Sequence, residues 1–413
     1  MKQNKVIIIG GGSAGLACAI ALREKGIQDI LLLEKENELG GILNQCIHNG
    51  FGLHMYKKEY TGPMYAQHHI DRFMELQIPY IIDATVLDIS EDKIVTVSEP
   101  KGIYSIQAEV IVLAMGARER TRGNIQIPGD RCVGVWTAGN AQKYLNMDGY
   151  LVGKRIFILG SGDIGLIMAR RLSLAKAKVV GVAEIMPYSN GLTRNIVQCL
   201  HDFDIPLYLS HTITQIKGDG RVEGITLCQV DENRQPMFET AKHFGVDTVL
   251  LSVGLIPDNV LSEKAKVSLD LKTKGPLVDS ELMTSTPGIF ACGNVLHIHD
   301  LVDHVSMEGI LVASSIIKYF EDQDSLDLIP VKSKGFLNYV LPQSINPKSD
   351  TVLLKYRVSK PMTKGFLRII CNDQVLLKIP KVDLHPSEMQ SFNLTKVILD
   401  KINSNVIVEL SDE

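Results

Sequence analysis

The chain has 413 residues and a formal net charge of −4, which gives no reason to expect nucleic-acid binding. Hydrophobic residues make up 45% and charged residues 22%, so ordinary globular cores are expected, and the length favours two or three domains. Every apolar run is far shorter than the roughly 20 residues that span a bilayer. The first residues lead directly into a strand, so we expect a cytoplasmic protein with neither signal peptide nor membrane span.

The first organised segment is a strand, a glycine-rich turn and a helix. The apolar run 6–9 predicts a buried parallel strand, and 13–25 has the spacing of a helix. Between them lies the turn Gly10–Gly15. A second strand follows at 30–33, and Glu34 stands at its end. These parts make a complete βαβ unit.

The same order of parts begins again about 150 residues later. A strand is predicted at 156–159, then the turn Gly160–Gly165, a helix to 174 and a strand at 179–183. Glu34 follows Gly15 by 19 residues (34 − 15), and Glu184 follows Gly165 by 19 (184 − 165). Each half also contains a strand-rich stretch (84–107 and 213–227) and a later buried strand (110–114 and 248–253). An internal repeat of this kind is stronger evidence than either half alone.

The last part of the chain has a different pattern. A helix is predicted from about 305 to 320 and a linker over 322–330. Short strands separated by turns are predicted at 351–358, 366–371, 374–379 and 405–410. We therefore expect a small separate β domain over 332–413, arranged as a sandwich.

Both glycine turns have the composition of a dinucleotide-binding site. Phosphate binds at a helix start because backbone N–H groups there are unsatisfied and the helix dipole is positive. The first glycine allows the tight turn, the second admits the pyrophosphate and the third permits helix–strand packing, roles assigned to Gly10, Gly12 and Gly15 and again to Gly160, Gly162 and Gly165. The alternative is an ordinary glycine-rich turn between strand and helix.

The acid at the end of each second strand is expected to accept hydrogen bonds from ribose hydroxyls. A carboxylate at this position repels the 2′-phosphate of NADP(H). We therefore expect the site that contains Glu184 to prefer NAD(H). The alternative for Glu184 is a solvated acid at a strand end.

The ordered set of motifs resembles the two-dinucleotide-binding-domain flavoproteins, the superfamily of the pyridine nucleotide–disulfide reductases. The resemblance covers residues 5–325. It rests on the two glycine turns, the doublet Gly40-Gly41, the strands that end at Gly116 and Gly254, and the motif 286–294. A narrower resemblance links 292–303 and the β-rich tail to the FAD subunits of opine oxidase, dye-linked proline dehydrogenase and anaerobic glycerol-3-phosphate dehydrogenase systems.

The resemblance implies an α/β fold with two Rossmann-like, three-layer dinucleotide-binding domains, the second inserted in the first, and a small C-terminal β domain. FAD is expected in residues 1–120 with 280–325, and NAD(H) in 150–258. The tail, 332–413, forms the third domain. The positions expected at the cofactors are Gly10, Gly12, Ser13, Ala14, Gly15, Glu34, Lys35, Gly41, Val86, Ala114, Gly116, Gly160, Gly162, Asp163, Ile164, Gly165, Glu184, Gly254, Gly293 and Asn294.

The chain departs from the superfamily in two places. The family has aspartate where this chain has Asn294, which keeps a hydrogen-bonding group but removes a charge. Seven dispersed cysteines include no C-x-x-C pair, so a dithiol relay through this chain, a structural zinc or an iron–sulfur cluster is not expected. Cys46 and His48 are weak catalytic candidates, and the alternative for both is a structural role.

No metal site is expected. The histidines and acids of 297–304 are dense enough to suggest one, but most of this run follows the implied flavin motif. The set consists of His297, His299, Asp300, Asp303 and His304.

The sequence thus predicts an FAD-dependent oxidoreductase that exchanges a hydride between NAD(H) and FAD. Its expected partner is a dehydrogenase or an iron–sulfur subunit, and a homo-oligomer is also open. Two alternatives remain: a stand-alone NADH oxidase or reductase of a small acceptor, and a scaffold subunit that retains FAD for structure. The intact second glycine turn and Glu184 speak against the scaffold.

Overall fold

The computed structural model describes residues 2–321 and 327–412, and the chain forms two compact units. The first unit consists of Met1–Ala117 with Pro257–Glu413, and the second of Arg118–Ile256. The short strands Ala117–Glu119 and Leu255–Pro257 lie where the chain passes between the units. In sequence, the second unit is therefore an insertion in the first.

A seven-stranded sheet forms the centre of the first unit. Its middle strands are parallel, and Ile8 pairs between Leu32 on one side and Val112 on the other. Such strands are covered on both faces, which explains why their apolar runs are continuous rather than alternating. The strands are, from one edge, Tyr80–Ile81, Ile30–Leu33, Lys2–Ile9, Gly102–Leu113, Ile94–Glu99 and Thr85–Ile89, with Ile289–Ala291 also paired to Gly102–Leu113; a separate two-stranded pair is Asn49–Phe51 and Tyr60–Thr61.

The second unit repeats the parallel arrangement on a smaller scale. Its five-stranded parallel sheet is accompanied by a three-stranded antiparallel sheet. The parallel strands are, in spatial order, Val135–Thr137, Thr248–Leu251, Arg155–Leu159, Lys178–Glu184 and Leu207–Leu209; the antiparallel strands are His211–Lys217, Gly224–Val230 and Pro236–Gly245.

Helices flank both parallel sheets. In the first unit they are Ser13–Glu24, Gly62–Glu75, Val260–Lys264 and Val302–Glu321, with 3₁₀ turns at Gly41–Gln45 and Gly293–Val295; in the second they are Arg122–Ile125, Ala138–Asn146, Asp163–Leu174 and Thr193–Cys199, with a 3₁₀ turn at His201–Phe203. The short helix Lys396–Leu399 packs on the core of the C-terminal part of the chain instead. Within residues 2–321 and 327–412, no helix combines the length and the apolar character needed to cross a bilayer.

The C-terminal β region, defined here as residues 327–412, has two sheets that share one apolar core. Tyr339 and Leu341 of this region belong instead to the core of the large sheet, so the region is packed into the first unit. One sheet contains, in order, Ser344–Ile345, Ile329–Gly335, Val406–Ser411, Met362–Cys371 and Gln374–Leu384; the other contains Leu337–Leu341, Thr351–Val358 and Gln390–Thr395.

The predicted fold class is confirmed: two α/β parts with parallel sheets and a C-terminal β region. Several predicted boundaries differ. The helix expected from 305 begins at Val302, and the stretches 104–107 and 110–114 form the single strand Gly102–Leu113. Of the predicted linker 322–330, residues 322–326 lie outside the described residues, and the first strand of the β region begins at Ile329.

Two helices of the first unit cross with their backbones in close contact. A Cβ atom at Gly309, in the helix Val302–Glu321, would lie 2.2 Å from the carbonyl oxygen of Ala14 in the helix Ser13–Glu24. No side chain fits at this distance. The helix that follows the first glycine turn is therefore held in place at its own first turn.

We predict that Gly309→Ala lowers the free energy of unfolding by about 1–3 kcal/mol, because the helices must separate to admit the methyl group. Ser314→Ala, on the same helix, is the matched control and changes it by less than about 0.5 kcal/mol. Urea denaturation followed by circular dichroism measures both. Equal stability of the two variants would show that the crossing tolerates a side chain.

Candidate functional site

The first glycine turn is built from backbone contacts that leave no room for side chains. Gly10 has φ +111°, and a Cβ atom there would lie 2.4 Å from the Ala114 carbonyl oxygen. A Cβ atom at Gly15 would lie 1.9 Å from the carbonyl oxygen of Gly10. Gly12 differs from both, because a Cβ atom there would have no atom of the described residues within 4 Å, apart from those of its two chain neighbours. The turn is thus closed on the protein side and open at Gly12.

The second glycine turn is built in the same way. Gly160 has φ +101°, and its Cβ atom would lie 2.1 Å from the Ser252 carbonyl oxygen. A Cβ atom at Gly165 would lie 2.7 Å from the carbonyl oxygen of Gly160. At Gly162 the nearest atom, Ser252 Oγ, is 3.9 Å away. Here too, the middle glycine is the open one.

Each turn begins a helix whose N-terminus has no side-chain cap. Gly12 precedes Ser13–Glu24 and Gly162 precedes Asp163–Leu174, and neither helix has an N-cap side-chain hydrogen bond. The first-turn N–H groups of an uncapped helix need an acceptor. An open glycine beside such groups fits a phosphate, so both turns suit the pyrophosphate of a dinucleotide.

The two predicted acids make the same hydrogen bonds in the two turns. Glu34 Oε2 accepts from the Gly11 N–H (2.6 Å), and Oε1 accepts from the Glu36 N–H (2.9 Å). Glu184 Oε2 accepts from the N–H (3.0 Å) and the hydroxyl (2.7 Å) of Ser161, and Oε1 accepts from the Met186 N–H (3.1 Å).

Both carboxylates are buried, with 6% of Glu34 and 4% of Glu184 exposed. Two backbone segments fix the orientation of each one. A carboxylate has about four lone-pair positions, so acceptor capacity remains on both for a ribose hydroxyl.

Two further segments bring predicted residues to the first turn. A Cβ atom at Gly41 would lie 3.2 Å from Gly12 Cα, and one at Gly293 would lie 3.0 Å from Ala14 Cβ. Asn294 Oδ1 accepts hydrogen bonds from the N–H (3.0 Å) and Nδ1 (3.2 Å) of His299.

The remaining predicted positions show no equally close contact with a turn. Lys35 is exposed, and Val86 lies half-buried in the strand Thr85–Ile89. Gly116 and Gly254 follow the buried strands that end at Leu113 and Leu251.

The remaining positions predicted around the second turn lie in the first turn of its helix. The Asp163 carboxylate accepts from the Leu192 N–H (2.9 Å) and from Asn195 Nδ2 (2.6 Å), so it is held by the neighbouring loop. Ile164 packs beside the apolar core of the second unit.

The two weak catalytic candidates lie just after the 3₁₀ turn Gly41–Gln45. Burial raises the pKa of the Cys46 thiol to about 12, and its S–H donates to the Ile42 carbonyl oxygen (3.3 Å). Cys46 is therefore a thiol at neutral pH, which does not favour a nucleophile. The centroid of the His48 ring lies 5.0 Å from the centroid of the Phe51 ring.

The sequence motifs do not predict the buried polar cluster that lies beside Gly293. Glu308 is 3% exposed, and its Oε1 accepts from His297 Nε2 (2.9 Å) and from Lys355 Nζ (2.5 Å), with His299 Nε2 3.0 Å away. Its Oε2 accepts from the Gly293 N–H (2.8 Å). Burial alone would raise the pKa of the Glu308 carboxyl, but His299, Lys355 and His297 hold it well below its usual range.

The cluster also contains three side chains of types that bind metal ions. One ligand atom from each of His297, His299 and Glu308 lies within 4.8 Å of the others. However, the Lys355 ammonium group contacts the same carboxylate oxygen, so the charge of Glu308 is balanced without a metal ion. The Asp303 carboxylate points elsewhere, to the N–H groups of Gly52 and Met55.

Comparison with known proteins places this geometry in a family. The family model for pyridine nucleotide-disulphide oxidoreductases matches residues 4–314. The small chain of glutamate synthase [NADPH] from Escherichia coli (strain K12) is 25% identical over 355 residues, which cover 78% of this chain and 70% of the relative. Across the first three curated relatives, the aligned part spans 53–70% of the relatives' own lengths.

Two solved structures share the fold. The thioredoxin reductase of T. acidophilum superposes with a TM-score of 0.64 at 22% identity, covering 78% of this chain and all of that one. The L-proline dehydrogenase of P. horikoshii superposes with a TM-score of 0.56 at 21% identity, covering 77% of this chain and 56% of that one. The chain belongs to the pyridine nucleotide-disulphide oxidoreductase family, as an FAD-dependent NAD(P)H oxidoreductase whose cofactors are FAD and NAD(P)H.

Proposed function

We propose that this chain exchanges a hydride between NAD(H) and FAD and serves as the electron-transfer subunit of a multi-subunit dehydrogenase. FAD is assigned to residues 1–120 with 280–325, NAD(H) to 150–258, and partner docking or stabilisation to 332–413. The observation that supports the assignment best is the duplicated site. Both turns have an open middle glycine, an uncapped helix and a buried glutamate held by two backbone segments.

In this proposal the residues of the chain bind and orient rather than react. The helix starts at Ser13 and Asp163 hold the two pyrophosphates, and Glu34 and Glu184 hold the two riboses. When bound, the flavin and the nicotinamide supply the redox chemistry. The chain would contribute by positioning the two cofactors, so no side-chain acid or base is assigned.

The cysteines favour electron transfer to a partner subunit over electron transfer through a cysteine pair of this chain. All seven lie within the described residues, and none of them forms a disulfide there. Burial raises the pKa of Cys18, Cys46 and Cys199, which makes thiolate chemistry at these positions unfavourable. Electrons would then leave the flavin for another subunit, and the match to a protein named a small chain is compatible with this role.

Anaerobic titration with NADH tests the proposal. We expect the purified protein to be yellow and its visible flavin absorbance to bleach with one equivalent of NADH. Turnover with oxygen alone is expected to be slow and to rise when a copurifying protein is added. Rapid turnover with oxygen or a quinone alone would favour the stand-alone oxidase, and flavin that NADH cannot reduce would favour the scaffold.

A second experiment tests the assignment of the second turn. Gly162→Val places a side chain in the open space where pyrophosphate is expected, and the nearest atom to its Cβ would be 3.9 Å away. We expect native circular dichroism and unchanged FAD content, but NADH binding weakened by at least about 100-fold because the backbone approach is blocked. Gly245→Val, at an equally open glycine in the same unit, is the control and should bind NADH normally.

The repeated glutamates allow a reciprocal test. Glu184→Gln removes the charge that repels a 2′-phosphate, so we expect NADH to bind about tenfold more weakly and the preference over NADPH to narrow. FAD content should not change. Glu34→Gln should affect the other site: we expect it to weaken FAD binding and to leave the preference for NADH over NADPH unchanged. Dissociation constants for both nucleotides and for FAD decide this, and the assignment is wrong if either variant affects both sites equally.

A further inference from the structure

The segment that follows Gly293 is held by two cations on one face of a strand in the C-terminal β region. Lys355 and Arg357 lie two residues apart in Thr351–Val358, so their side chains leave the same face. Lys355 contacts Glu308, and Arg357 pairs with Asp300 and donates to the Ile298 carbonyl oxygen. Arg357 therefore contacts the stretch between the Gly293 turn and the helix Val302–Glu321, and Lys355 contacts the helix itself through Glu308.

Lys355, His297 and His299 surround Glu308 Oε1, and Lys355 is the one that brings an ammonium group. Burial lowers the pKa of His297 to about 3, which leaves its ring neutral at physiological pH. A neutral His297 that donates through Nε2 has an unprotonated Nδ1, and this buried atom has no partner among the described residues. Neutral imidazole cannot balance a buried carboxylate, whereas a lysine ammonium group carries a full positive charge.

Glu308 connects this charge to the turn expected at the cofactor. Oε1 contacts Lys355 and Oε2 accepts from the Gly293 N–H, so both interactions share one carboxylate. Gly309, the next residue, is in backbone contact with Ala14 in the first turn of the helix after the glycine fingerprint. A change in the charge or orientation of Glu308 therefore acts on both segments that border the proposed FAD site.

We propose that Lys355 of the C-terminal β region is a positioning residue for FAD, because it neutralises the buried Glu308 and so lets this carboxylate hold the Gly293 turn in its cofactor-binding geometry. The inference rests on the proposed FAD site at the first turn. It assigns the C-terminal β region a part in flavin binding that acts through Glu308. Removal of the ammonium group takes one counter-charge away from a buried carboxylate, and we expect the carboxylate to protonate or move in response.

The test is a double-mutant cycle on the dissociation constant of FAD, measured by adding FAD to the flavin-free full-length protein. We expect Lys355→Met to weaken FAD binding by about tenfold or more. Lys355→Arg keeps the charge and should restore most of the affinity. Lys396→Met is the matched control, because Lys396 lies in the same region and pairs with Asp400 at the surface (3.3 Å), and it should have no effect.

The decisive comparison is made in the Glu308→Gln background. Without the carboxylate, Lys355→Met should change FAD affinity by less than about twofold, because there is no charge left to balance. This comparison also applies if the single variant Lys355→Met does not fold. Equal effects of Lys355→Met in both backgrounds, or no effect in either, would overturn the inference while leaving the proposed function intact. Failure of the unmodified protein to bind FAD would instead refute the proposed function.

Discussion

The structure depends on a pair of backbone contacts that is made once in each unit. In each unit, the carbonyl oxygen of a residue that closely follows a neighbouring strand lies against the first glycine of the turn, and the carbonyl oxygen of that glycine lies against the third. Side chains at these positions would force strand, turn and helix apart. Because the three elements are locked without side chains, the helix N-terminus remains uncapped and the middle glycine stays open. The buried glutamates complete the arrangement by fixing the backbone on the far side of each turn.

This core of the site could be predicted because its parts are local in sequence. A strand, six turn residues, a helix and an acid at a fixed distance fall within one short stretch, and their repetition removes much of the ambiguity. Boundaries were harder to predict where the environment changes within an element. Gly102–Leu113 pairs antiparallel over its first half and parallel over its second, so its burial changes from alternating to continuous, and the pattern suggests two strands. The helix begins at Val302, and its second residue, Asp303, is a buried acid that accepts hydrogen bonds from two backbone N–H groups, an environment that its polarity does not predict.

The polar cluster could not have been found in the same way. Lys355 and Glu308 are 47 residues apart, and neither belongs to a recognisable spacing. The run of histidines and acids at 297–304 is dense enough to suggest metal ligands. In the structure, only His297 and His299 of this run belong to the cluster, and Glu308 and Lys355 complete it. Asp300 pairs with Arg357 instead. A cluster of this kind depends on which strand packs against which helix, and that information lies in the tertiary structure rather than in local pattern.

The burial of Tyr339 and Leu341 in the core of the large sheet has a consequence for how this protein can be dissected. A truncated chain that stops after the helix Val302–Glu321 would lack both side chains and expose the apolar surface that they cover. It would also lack Lys355, so the Glu308 carboxylate would lose this ion pair, and an unpaired buried charge destabilises the folded state. The large sheet and the C-terminal β region therefore share buried apolar surface, and a chain shortened after this helix is expected to expose that surface and to aggregate.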